Sequence, residues 1–140
     1  MANLDNFRGD GEQSIPQNIS TWTEDSSATA ATATAAHAGE TGKSHYITGF
    51  ACSAQSASGQ NPDEMVCTIK NVSSTVISFT FQSDVVDDYA PGGNGTIIHS
   101  FSSPIHITEG NETSIVVTGA GTGNLVNVNL WGFTNDTEVE

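Results

Sequence analysis

Short runs along this chain place apolar residues at every second position, the period of a strand with one buried face. The clearest is Val126-Asn127-Val128-Asn129-Leu130-Trp131-Gly132-Phe133, where Val126, Val128 and Leu130 share one face and Asn127 and Asn129 take the other. A second strand is predicted over His45–Ser53, with Tyr46, Thr48, Phe50 and Cys52 on one face. Ala28–Ala36 is also assigned to a strand: its alanines permit a helix, but Thr29, Thr32 and Thr34 weaken that case. Met65–Lys70, Val76–Gln82, Thr96–Phe101, Ile105–Ile107, Thr113–Val117 and Leu125–Phe133 complete a set of eight candidates. The segments between them are rich in Gly, Pro, Asn and Ser. This spacing predicts an all-β fold, a single antiparallel β-sandwich with a jelly-roll-like strand order, over residues 28–134.

Residues 1–27 lack that alternation, and Gly9, Gly11 and Pro16 interrupt them. They read as an extended N-terminal arm whose isolated apolar residues, Ile15, Ile19 and Trp22, would grip a partner when the arm docks. Residues 135–140 form an acidic tail, and no internal repeat divides the chain.

A chain of 140 residues is expected to be one domain, large enough to bury about two-thirds of its unfolded surface without metals or many disulfides. Asp and Glu outnumber Lys and Arg by 16 to 3, for a net charge of −13, so no basic stripe is available to meet nucleic-acid phosphates. No window reaches the length of a membrane span, and Met1–Asn6 has no basic, apolar signal region, so neither a membrane nor a secretory route is expected. The sequons beginning at Asn18, Asn71, Asn94, Asn111 and Asn135 are then attributed to an Asn-, Ser- and Thr-rich composition. Cys52 and Cys67 each lie in a strand-like run and could be neighbours in a sheet; buried free thiols are expected.

Candidate chemistry is sparse. Gly39-Glu40-Thr41-Gly42-Lys43-Ser44 ends like a phosphate-binding loop, yet His37 stands where the first glycine is needed and a strand, not a helix, follows Ser44. His37, His45, His99 and His106 have no metal-ligand spacing, although His99 and His106 flank a predicted hairpin around Pro104; they are read as strand histidines, with no metal or other cofactor. Asp84, Asp87 and Asp88, near Asn94, lack the alternating ligands of a calcium loop and read as a solvated acidic loop. Glu109 and Glu112 sit in a turn, no nucleophile has a catalytic context, and Arg8-Gly9-Asp10 is only a tripeptide match, so the chain is expected to be no enzyme. Trp22 and Trp131 stand out as large buried or interfacial anchors.

Three segments carry a family resemblance. Ala35–Phe50, Phe101-Ser102-Ser103-Pro104-Ile105-His106-Ile107-Thr108-Glu109-Gly110-Asn111 and Asn127–Thr134 resemble the pattern of small β-sandwich structural proteins of tailed bacteriophages. The resemblance covers roughly Ala28–Thr134 and departs from the pattern at Asn61–Glu64 and Asp84–Asn94. It implies a virion protein, in particular a decoration (cement) protein on the capsid surface. Its partner would be the major capsid protein, and it would act as a homo-oligomer, preferably a trimer. The competing expectations are a tail or neck receptor-binding or adhesion module, the latter including a calcium-dependent one, and a carbohydrate-binding sandwich.

Overall fold

The computed structural model describes residues 19–56, 63–84, 96–118 and 124–136. Eight strands follow in order: β1 (Ile19–Thr29), β2 (Ala33–His37), β3 (Lys43–Gln55), β4 (Glu64–Asn71), β5 (Ser74–Gln82), β6 (Thr96–His106), β7 (Thr113–Thr118) and β8 (Leu125–Asp136). They make two four-stranded sheets with orders β1-β8-β3-β6 and β2-β7-β4-β5, and all neighbours within the sheets are antiparallel. The pairs β1–β8, β2–β7, β3–β6 and β4–β5 nest inside one another, as if one long hairpin had been wrapped into a sandwich. That is the jelly-roll order.

The core lies between the sheets. Ile47, Phe50, Cys52 and Ala54 of β3 and Val126, Val128 and Leu130 of β8 meet Met65, Cys67 and Ile69 of β4, Ile115 and Val117 of β7, and Ala33 and Ala35 of β2. Removing a Leu or Ile side chain of this size from water contributes about 1.5–3 kcal/mol. The predicted alternation of β8 is the observed one, with Val126, Val128 and Leu130 buried and Asn127 and Asn129 half-buried on the opposite face.

Five local expectations are corrected. Residues 19–27 are not an arm: β1 pairs with β8 along its whole length, from Ile19↔Asn135 to Thr29↔Leu125. The inward positions of this edge strand are Trp22, Glu24, Ser26 and Ala28, too polar and too small to show a hydrophobic period. The Ala28–Ala36 strand is two strands, parted where Ala30 adopts φ 56° and donates its N–H to the Asn124 carbonyl. Thr96–His106 is one strand, not a hairpin at Pro104; β6 is an edge strand, where a missing N–H is tolerated.

In β3 the register shifts between Ile47 and Gly49. This bulge at Thr48 reverses the alternation, so His45 and Ile47 point inward before it and Phe50 and Cys52 after it. Tyr46 therefore does not share a face with Phe50 and Cys52. Cys52 and Cys67, both free and buried, lie in opposite sheets and are not neighbours in one. Ile15, Asp87, Asp88, Asn94 and residues 137–140 of the acidic tail lie outside the described residues.

Candidate functional site

Strand alternation sends one set of side chains to the outer face of the β1-β8-β3-β6 sheet. The register aligns Tyr46 with Phe133 and His106, Gly49 with Trp131, and Ala51 with Ile98 and Asn129. Tyr46 stacks on Phe133, with ring centres 4.9 Å apart and planes 12° from parallel, and packs tilted against His106 at 5.0 Å. His106 Nε2 lies 3.1 Å from Ser44 Oγ. The Trp131 indole lies across Gly49, where a Cβ would come within 2.6 Å of the ring; only glycine lets it settle there.

Exposed aliphatics stand on the same face. Ile98 is 71% exposed, Ile19 45% and Leu125 40%, and the register sets all three on this outer face. Charge is nearly absent from it. Among the described residues, Asp25 is the one carboxylate at an outward position of these four strands, although the chain carries 16 acidic residues. An aromatic cluster set among Asn, Ser and Thr, with exposed aliphatics on the same face and little charge, is the composition of an interaction surface on an otherwise acidic molecule.

At one end of the sandwich the two sheets are joined by a polar and aromatic cluster. Trp22 of β1 stacks on His37 of β2 at 4.2 Å and 9°, and His45 of β3 meets His37 edge-on at 4.5 Å. His37 Nδ1 donates to Glu24 Oε1 at 2.8 Å. The buried His45 is satisfied as a neutral ring: Nε2–H donates to the Ala38 carbonyl at 2.8 Å, and Nδ1 accepts from the Thr134 hydroxyl at 2.7 Å. Burial holds His45 below the usual histidine range, outweighing the Ala38 carbonyl, which favours the protonated ring.

His45 makes stability depend on pH, with His37, Glu24, Glu40 and Lys43 as the titratable or charged groups around it. Its folded value is depressed, so its contribution is complete above the unfolded value near pH ~6.5 and is lost as pH falls through the lower folded value. Urea midpoints should therefore fall from pH 7.5 to pH 5, and the His45 ring resonance should titrate below the unfolded value. A flat stability profile with an ordinary titration would show that burial of His45 costs nothing.

The sequence candidates scatter over the fold. Ile19 stands on the outer face of β1, whereas Trp22 points inward against the core. Lys43 opens a strand and pairs with Glu40 at 2.8 Å, in a tight turn with Gly42 at φ 78°. His99 packs on Phe50 and Phe101, away from His37 and His45. Asp84 lines a shallow cleft of about 190 Å³ with Ser53, Ala54, Gln55, Thr96, Leu125 and Asn127. Among the described residues, no three His, Cys, Asp or Glu side chains are placed to hold a metal. The outer face was missed in the sequence because only the strand order sets Tyr46 beside Phe133 and His106 and puts Ile19, Ile98 and Leu125 on the same side of the sheet.

No family model matches the chain, and no curated protein matches it. Three solved structures are distantly similar. One is dimeric latent PorU from Porphyromonas gingivalis, at 17% identity and TM-score 0.47 over 87% of this chain; the chain spans 13% of that protein's length. Another is from the disulfide-linked pili of Bacillus endospore appendages, at 13% identity and TM-score 0.35, covering 89% of this chain and 93% of the other. The third is the virus-like particle of the extra small virus of the prawn Macrobrachium rosenbergii, at 15% identity and TM-score 0.34, covering 84% and 80%. These distant likenesses do not indicate what the chain binds.

Proposed function

We propose that this chain is a non-enzymatic assembly protein that decorates the outer surface of a tailed-phage capsid and cements its shell. The observation that supports it is the nearly uncharged outer face of β1-β8-β3-β6, which carries Trp131, the Tyr46–Phe133 stack and the exposed Ile19, Ile98 and Leu125. Such a face gains free energy by being covered, and the wrapped sandwich behind it is a rigid platform. His37, Glu24, His45 and Thr134 of the inter-sheet cluster are engaged in structural hydrogen bonds, which suits a scaffold. Three copies around a capsid threefold would multiply weak contacts through avidity, with the major capsid protein as partner.

The test is co-sedimentation with undecorated shells of the phage that encodes the chain, together with light scattering to count subunits. Ile98→Asp, at an exposed position, should leave circular dichroism unchanged and weaken shell binding at least about tenfold. Equal binding by the variant would move the docking surface elsewhere. A second reading, a carbohydrate-binding sandwich, is favoured by the half-buried rings of Tyr46, Trp131 and Phe133 standing beside Asn127 and Asn129. Retention on a glycan array, without shell binding, would select it.

A further inference from the structure

Cys52 projects into the core from β3 and Cys67 from β4, which belong to different sheets. The two thiols are the sole cysteines of the chain, both are buried, and they meet across the sandwich in hydrogen-bonding contact. Around them stand Val128 and Ile97 on one sheet and Val117 and Phe79 on the other, paired in register with the cysteines. A buried thiol usually serves as a small hydrophobe, surrounded by carbon. Here each thiol instead faces the one other thiol of the chain.

We infer that Cys52 and Cys67 are a covalent cross-linking site, at which a disulfide between the two sheets forms when the chain folds in the presence of a small-molecule disulfide. The chemistry balances by thiol–disulfide exchange: the Cys52 thiolate attacks a sulfur of oxidised glutathione and releases one glutathione thiolate. The Cys67 thiolate then attacks Cys52 of the mixed disulfide and expels the second. Two protein thiols lose two protons and two electrons, and one glutathione disulfide becomes two thiols. Either thiol can act first, because both are still exposed to solvent when the exchange begins. Attack must precede closure of the sandwich, since both sulfurs are then shielded from any outside reagent.

The cross-link would join the sheets across a loop of about 15 residues, β3 and β4 being consecutive strands, and so restrict the unfolded chain. The experiment is refolding of the full chain with oxidised and reduced glutathione, followed by intact-mass measurement after alkylation in denaturant. The expected product is a monomer lighter by two hydrogen atoms, unreactive to alkylation, with a Tm raised by roughly 10 °C and returned by reductant. The Cys52→Ala/Cys67→Ala double variant should show no such dependence on reductant. Two alkylated thiols, glutathione adducts alone, or disulfides only between chains would each overturn the assignment.

Discussion

Gly132→Ala is expected to cost about 3 kcal/mol or more, or to prevent folding, although it adds a single methyl group. Gly132 lies in β8 opposite Ile47 and Trp22, and a Cβ there would enter the van der Waals envelope of the Tyr46 carbonyl oxygen and come within 2.9 Å of Trp22 Cζ2. The carbonyl belongs to the backbone of β3, next to the residues where the strand bulges, so it cannot turn aside as a side chain would. Gly49→Ala provides the contrast. Its obstacle is the Trp131 indole, a side chain on the outer face with solvent to move into. That variant should stay folded, lose about 1 kcal/mol or less, and displace Trp131. Thermal unfolding of the two variants beside the wild type measures the difference. Comparable losses would mean that the β3–β8 backbone yields more easily than its close approach implies.

The fold was legible where one face of a strand is filled by large apolar residues. Val126, Val128 and Leu130 announce both their strand and its buried side, and the Gly-, Pro- and Asn-rich breakers place most of the turns. It was not legible where the inward positions are small or polar, as in β1, where only the eleven-residue pairing with β8 reveals a strand. Nor does periodicity survive a bulge: the extra residue at Thr48 moves Tyr46 to the outside while Phe50 stays inside. Tyr46 thereby becomes part of the candidate docking face. That face depends on β1, β8, β3 and β6 lying side by side, an order set by wrapping of the whole chain and not by any local segment. Trp131 and Ile19 were noticeable as apolar anchors; Ile98, on the same face, was not.

Trp22→Ala should destabilise the sandwich by about 3 kcal/mol, the lower end for removing a Trp from a packed site, because the indole is half-buried. A Trp22 on a free arm would instead leave stability unchanged and affect only docking. Its position in β1 rules that out: the ring packs on the core, stacks on His37 at 4.2 Å, and meets His45 edge-on at 6.1 Å. Losing the indole removes that packing and opens the end of the sandwich, where His45 depends on exclusion of water. Trp22→Phe separates packing from hydrogen bonding. The Trp22 indole N–H is the one buried side-chain polar atom, among the described residues, that has no hydrogen-bond partner. Phenylalanine removes that unsatisfied donor while keeping an aromatic face for His37, so its loss of contact area is partly offset and it should cost no more than about 1 kcal/mol. Urea unfolding of the two variants checks both values. An alanine variant as stable as the wild type would show that β1 contributes little to the sandwich, and a phenylalanine variant as damaged as alanine would mean that the indole N–H has a partner after all.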